Sequence, residues 1–235
     1  MKTIGIIGAM DIEIAGIKAK MNVTETKTAI GTEFHIGTLA GKNVVLALAG
    51  IGKVNAAICA QIMIDLMGVD AIISVGVAGA IADGLRVGDV VIATDLIYHD
   101  MDSTHFGYSP GIIPRMSESV FAADAALSAV ANEVGHEILS GTGNKILAGR
   151  MATGDQFINS GEDKERISNI FAAACCEMES AAIAHTCYLN KTPFAAIRAI
   201  SDGADDDASL TFEEFLEVAA ERSGRIVVGM VRNIN

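Results

Sequence analysis

Five charged side chains stand in or directly after apolar runs, where a charge is hardest to explain as a solvated surface group. Glu13 follows the run Thr3–Ile7 and the turn Gly8-Ala9-Met10. Glu177-Met178-Glu179 follows Phe171-Ala172-Ala173-Ala174-Cys175, Arg198 lies inside Phe194–Ile200, and Ser201-Asp202 ends that run. A buried cation needs a partner, so an Arg among these carboxylates suggests an ion-pair network. Carboxylates gathered in one crevice suit proton transfer and the stabilisation of an oxocarbenium ion. Plainer readings compete. Asp11 is read as favouring the positive end of a helix dipole, and pattern alone leaves Glu13 open between that role and a functional one. Glu179 is read as functional. Glu177 is left open between holding vicinal hydroxyls and being a paired charge, and Arg198 could simply neutralise a structural Glu. Asp205, Asp206 and Asp207 read as a solvated run, not a metal site.

The elements that would position these groups alternate. Short β-branched apolar runs predict strands at Thr3–Ile7, Glu33–Leu39, Asn43–Leu48, Ala71–Val75, Asp89–Tyr98, Lys145–Met151, Ala173–Met178 and Phe194–Ile200. Helical spacing predicts helices from Asp11 to about Met21, Val54 to Met67, Val120 to about Val134, a short one from about Gly161, Glu179 to Leu189, and Thr211 to about Val231. Gly41-Lys42 reads as a hairpin turn, and Thr211 with Glu214 as a capping box. Residues 99–117 form a long loop, which in a compact domain is usually functional. The pattern predicts a single α/β domain over residues 1–235, a three-layer α/β/α arrangement around a twisted mixed sheet. Ligands bind such sheets beyond the carboxyl ends of the strands. There, the small residues of Gly76-Val77-Ala78-Gly79-Ala80 would let a ligand approach closely, which makes Ala78 and Gly79 candidate contacts.

Composition narrows the ligand. The formal net charge is −12, from 29 Asp and Glu against 17 Lys and Arg. That argues against a nucleic-acid or anionic-membrane partner. The start MKTIGIIGAM is not a signal peptide, and no apolar stretch reaches the ~20 residues that span a bilayer. A cytoplasmic location is expected. Cys59, Cys175, Cys176 and Cys187 lack Cys-x-x-Cys spacing and read as reduced core thiols. The turn after the first strand lacks Gly-x-Gly-x-x-Gly and carries two carboxylates with no basic residue until Lys18, a poor phosphate site. His99, His105, His136 and His185 are given no catalytic role, and no metal or organic cofactor is expected.

At these residues the chain closely resembles the bacterial 5′-methylthioadenosine/S-adenosylhomocysteine nucleosidases of the purine nucleoside phosphorylase superfamily. The matching stretches are Ile6–Met10, Gly50–Val54, Tyr98–Asp100, Phe106–Tyr108, Gly154–Asn159, Glu177–Glu179 and Arg198–Asp202, in family order along nearly the whole chain. The resemblance implies a nucleoside phosphorylase-like fold and hydrolysis of an adenine nucleoside. By it, Glu13 and Arg198 hold and activate the attacking water, and Glu179 binds the ribose hydroxyls with the Met178 backbone. Asp202, steadied by Ser201, protonates adenine N7. Phe157 lies against the base, the Ile158 backbone meets the base edge, and Met10, Ile51 and Phe212 line the ribose and 5′-alkylthio pocket. Glu177 joins the substrate-binding set. Phe106, Tyr108 and Pro114 would close the partner subunit's pocket, which implies a homodimer. The family often has Ser-Ala-Gly-Gly where this chain reads Val77-Ala78-Gly79-Ala80; Val77 cannot donate a side-chain hydrogen bond, which further disfavours phosphorolysis. Three alternatives stand beside this reading: a phosphate-dependent purine nucleoside phosphorylase, an aminodeoxyfutalosine nucleosidase, and a nucleoside binder without catalysis.

Overall fold

A strand buried on both faces reads as an unbroken apolar run, not an alternation. Ala71–Ala80 is such a run, and in the computed structural model its 10 residues are all buried. The structure describes residues 1–204 and 208–234. In chain order these form β1 (Thr3–Gly8), α1 (Asp11–Lys18), β2 (Asn22–Ala29), β3 (Thr32–Leu39), β4 (Lys42–Leu48), α2 (Lys53–Asp65), β5 (Ala71–Ala80) and β6 (Val90–Tyr98). There follow β7 (Phe121–Ala122), α3 (Ala125–Leu139), β8 (Ile146–Thr153), α4 (Gly161–Phe171), β9 (Cys175–Glu177), α5 (Ser180–Asn190), β10 (Phe194–Asp202) and α6 (Ala208–Asn233). Residues 99–117 form the expected long loop, interrupted by a 3₁₀ turn at Thr104–Phe106.

The strands form a mixed sheet in the order β10-β6-β8-β9-β5-β1-β4-β3-β2, with β7 beside β6. β1 is parallel to β4 and β5, and β5 is parallel to β10. Because β10 also pairs with β5, the strands β5, β9, β8, β6 and β10 close into a ring. β9 runs antiparallel to β5, with Gly79 opposite Cys176. Its chain therefore returns along β5 and delivers Glu177 and Glu179 toward the level of Arg198, whose register partner on β5 is Gly76.

Successive residues of a strand face opposite sides, and the core divides accordingly. Ile6, Ile73 and Ile197 pack against Ile14 and Ile17 of α1, Leu127 and Val134 of α3, and Ile226 and Val227 of α6. Their neighbours Ile7, Ile72 and Ala196 pack against Ala56, Cys59 and Met63 of α2 and Ala181 and Ile183 of α5. Burying each Ile, Leu, Val or Met side chain among them stabilises the fold by ~1.5–3 kcal/mol. The four cysteines are buried and unpaired as disulfides, and burial pushes the thiols of Cys59 and Cys187 up to about 12. Among the described residues, no helix is long and apolar enough to cross a membrane.

Several boundaries differ from the sequence reading. β2 is absent from it, because Asn22–Ala29 is polar and exposed almost throughout; it forms by pairing with β3. α1 ends at Lys18, short of Met21. β5 runs through Gly76 to Ala80 instead of stopping at Val75. The helix expected from Val120 starts at Ala125, after β7, where the Asp124 carboxylate accepts from the N–H groups of Ala126 and Leu127. Thr211 lies inside α6, which begins at Ala208, so it is not the helix cap. Asp205, Asp206 and Asp207 fall outside the described residues.

Candidate active site

Glu13 is the third residue of α1, yet its carboxylate turns back toward the sheet. Oε2 accepts from the N–H groups of Ala9 (2.8 Å) and Met10 (2.9 Å), and Oε1 from the N–H of Val77 (3.0 Å). The end of β1, the first turn of α1 and the middle of β5 thus fix one carboxylate. Space for it exists because residue 76 is glycine: a Cβ there would lie 2.8 Å from Arg198 Nη1 and 2.9 Å from Glu13 Cδ.

Arg198 is only 2% exposed. Its Nη2 donates to Glu177 Oε2 at 2.7 Å and to Ser74 Oγ at 3.2 Å, and lies 3.8 Å from Glu179 Oε2. Burial opposes its charge, but Glu177, Glu13 and Glu179 together keep the guanidinium protonated. Its Nη1 is buried with no partner among the described residues. An orphaned charged donor is costly unless a ligand or water satisfies it.

The two glutamates that flank Met178 divide the work. Glu177 Oε1 accepts from Thr153 Oγ1, while Oε2 accepts from Ser180 N–H and Oγ–H (both 2.8 Å), Glu179 N–H (3.1 Å) and Arg198. Burial alone would raise Glu177, but Arg198, Thr153 and Ser180 hold it below the usual carboxylate range. Its oxygens are committed to the protein, so Glu177 is the anchor of Arg198. Glu179 has one strong partner, the Gly52 N–H at 2.8 Å to Oε1. Burial, then the neighbouring charge of Glu177, pushes Glu179 up to about 7. Asp202 ends β10: Oδ2 accepts from Ser201 Oγ–H at 2.8 Å and Oδ1 from Ala204 N–H at 2.9 Å.

These groups border one cavity of about 320 Å³. Glu13, Glu179 and Asp202 line it together with Met10, Ile51, Ala78, Gly79, Phe157, Ile158, Glu177, Met178, Ser201 and Phe212. Arg198 lies behind the wall. The Phe157 and Phe212 rings meet edge to face, 5.6 Å between centroids, at the apolar end. Phe106, Tyr108 and Pro114 are not part of this lining, and Phe106 is 78% exposed. The sequence reading missed the lining residues Ala9, Gln156 and Cys176 and the supports Ser74, Thr153 and Ser180. Hydroxyls of that kind give no periodic signal; only their place beside a buried ion pair reveals them. Among the described residues, no group of His, Cys, Asp or Glu is placed to hold a metal ion.

The family model described as "Phosphorylase superfamily" matches residues 3–232. The chain is 42% identical over 232 residues to the 5′-methylthioadenosine/S-adenosylhomocysteine nucleosidase of Tolumonas auensis, covering 98% of this chain and 99% of the other. The chain belongs to this nucleosidase family of the phosphorylase superfamily. The solved nucleosidase from Neisseria meningitidis, in complex with methylthio-immucillin-A, superposes with a TM-score of 0.94 at 40% identity and full coverage of both chains. Futalosine hydrolase of Helicobacter pylori superposes with a TM-score of 0.93 at 35% identity, covering 99% of this chain and 98% of that one. The mixed sheet with helices on both faces is the nucleoside phosphorylase-like fold. Within this nucleosidase family the chain's departure at Val77 has a structural reading. That position serves Glu13 through its backbone N–H, a donor that Ser and Val supply alike.

Proposed function

We propose that the chain hydrolyses the N-glycosidic bond of 5′-methylthioadenosine and S-adenosylhomocysteine, releasing adenine and the 5-thio-substituted ribose. The observation that carries this reading is the convergence of Glu13, Glu179 and Asp202 on one cavity, with Arg198 Nη1, which has no partner among the described residues, across Gly76 from Glu13. Water between them accepts from Arg198 Nη1 and donates to Glu13 Oε1. It attacks C1′ as the bond to N9 breaks, and its proton passes to Glu13. Asp202 donates a proton to N7, so adenine leaves neutral; Ser201 keeps that carboxyl aimed. Positive charge grows on the ribose ring, where ionised Glu179, accepting from the ribose hydroxyls, stabilises it more than it does the ground state. Phe157 and Ile158 hold the base, and Met10, Ile51 and Phe212 take the ribose and the 5′ group.

Phosphate is disfavoured as the nucleophile because the cation beside Glu13 is already bound to Glu177, and the cavity adds a second and a third carboxylate. Adenine release measured with and without phosphate tests this; strict phosphate dependence overturns it. Binding of methylthioadenosine without any adenine formed would overturn the enzyme reading. Comparing methylthioadenosine, adenosylhomocysteine and aminodeoxyfutalosine ranks the substrates. We also infer a homodimer. Phe106 and Tyr108, with Val54 and Ile58 of α2, expose large apolar side chains suited to a second copy. Sedimentation should give a dimer, and a monomer at assay concentration would refute it.

A further inference from the structure

Two irregular segments wall the cavity. The turn before α2 carries Ile51, which is 54% exposed, and the segment after β8 carries Gln156, Phe157 and Ile158, with Phe157 43% exposed. Ile158 packs into the core beside Ile97 and Ile167, but the exposed Ile51 and Phe157 do not, so polar links must set the spacing between the two walls. The side chain that joins them is Lys53. Its Nζ lies 2.5 Å from Asp100 Oδ2 and 3.6 Å from Asp155 Oδ2, and 5.4 Å from the centroid of the Tyr98 ring. The backbone repeats the link: Lys53 N–H donates to Asp155 Oδ1 (2.8 Å), and Asp155 N–H donates to Asp100 Oδ2 (2.9 Å). One residue earlier, Gly52 N–H holds Glu179. Gly52 has φ 98°, a conformation suited to glycine, and a Cβ there would lie 3.1 Å from Asp155 Oδ1. The other Asp100 oxygen, Oδ1, is buried with no partner among the described residues, so the half-buried carboxylate depends on Lys53 for its compensation.

We propose that Lys53 is a positioning residue: its ammonium locks the Ile51–Gly52 turn to the Asp155–Ile158 segment and so sets the spacing between the carboxylate that grips the ribose and the wall that grips the base. This rests on the reading of the site given above. Glu13, Arg198 and Asp202 are held by β1, β5, β9 and β10 without Lys53. Its loss should therefore loosen the grip on substrate, and slow the chemical step only as far as Glu179 shifts with the Gly52 turn.

The test uses Lys53→Met and Lys53→Arg, with adenine-release kinetics on methylthioadenosine and calorimetric titration with adenine. The Met variant should raise KM and the adenine Kd by ~10-fold, a fraction of the 10²-fold that a 1 Å misplacement can cost, and lower kcat as the Glu179 carboxylate shifts. The Arg variant, which keeps the charge at the node, should restore both constants to within ~3-fold of wild type. A lysine that merely stabilised the fold would lower kcat per mole and leave KM and Kd unchanged. That result, or wild-type constants in the Met variant, overturns the proposal. If Lys53→Met does not fold, Asp155→Ala removes both the carboxylate facing the Lys53 ammonium and the acceptor of its N–H, and must show the same rise; normal constants there refute the idea. A wild-type protein that releases no adenine would sink the hydrolase reading, while the adenine titrations would still judge Lys53.

Discussion

Replacing Gly76 by Ala adds one methyl group and alters no titratable side chain, yet it should nearly silence the enzyme. The new Cβ would sit 2.8 Å from Arg198 Nη1 and 2.9 Å from Glu13 Cδ, inside the distance that carbon atoms tolerate. Neither neighbour yields easily. Glu13 is fixed by three backbone N–H donors, and Arg198 by Glu177 and Ser74. The methyl would take the space in which water has to lie between acceptor and donor. Losing a placed proton acceptor costs ~10²–10⁴-fold in rate, or ~3–5.5 kcal/mol of barrier. Overpacking costs ~1–3 kcal/mol of stability, which lowers Tm by ~2–12 °C in a chain of this size. The assay is adenine release at saturating substrate, beside a thermal melt and an adenine titration. Adenine binding should persist, because the proposed base site at Phe157 and Asp202 does not include Gly76. A folded Gly76→Ala enzyme with kcat within ~3-fold of wild type would place the nucleophile elsewhere and refute the reasoning.

Asp202→Asn should keep the fold and lower kcat by ~10²-fold or more, since the amide cannot deliver a proton to the base usefully; wild-type turnover would remove Asp202 from the mechanism. Glu177→Gln should behave differently, lowering Tm by ~6–20 °C because it strips the buried Arg198 of its main partner at ~3–5 kcal/mol, as a thermal melt would reveal. In the free enzyme kcat/KM should rise with pH through about 7, as Glu179 ionises and becomes able to face the cationic ribose. The sign for stability is opposite. The folded-state value lies above that of an unfolded Glu, so this group's contribution is full below the ordinary Glu range and is lost as pH rises through about 7. A flat kcat/KM profile between pH ~5.5 and ~8.5 would contradict the Glu179 assignment.

The charged residues of the cavity and its wall are more legible in the sequence than their supports. Glu13, Glu179, Arg198 and Asp202 stood out because a charge interrupting or ending an apolar run is expensive, and expense marks it. Glu179 reads as functional from its place, whereas Glu177, two residues away, stays open between a ligand contact and a paired charge. What separates them is the tertiary set of donors from Thr153, Ser180 and Arg198, which has no local pattern. Glycine weakens strands on its own, so the sequence pattern stops the strand before Gly76; pairing with β10, where Arg198 stands opposite Gly76, and with β9 further on carries β5 through to Ala80. The Lys53, Asp100 and Asp155 node joins residues 47 and 55 positions apart, beyond the reach of any periodicity argument. β2 was invisible because its exposed residues answer to β3 and not to a core.

The ring closed by β5, β9, β8, β6 and β10 separates two demands that usually conflict. Amides inside such a ring exchange with solvent only when much of the molecule opens, whereas those of exposed turns exchange by small local excursions. Glu13, Arg198 and Asp202 grow from or brace against the ring, and the walls carrying Ile51 and Phe157 lie on turns outside it. Breathing of the rim would let product depart and 5′ groups of different bulk enter, while Glu13 and Asp202 stay as fixed as the sheet and Glu179, bonded to the Gly52 N–H of that rim, moves with it.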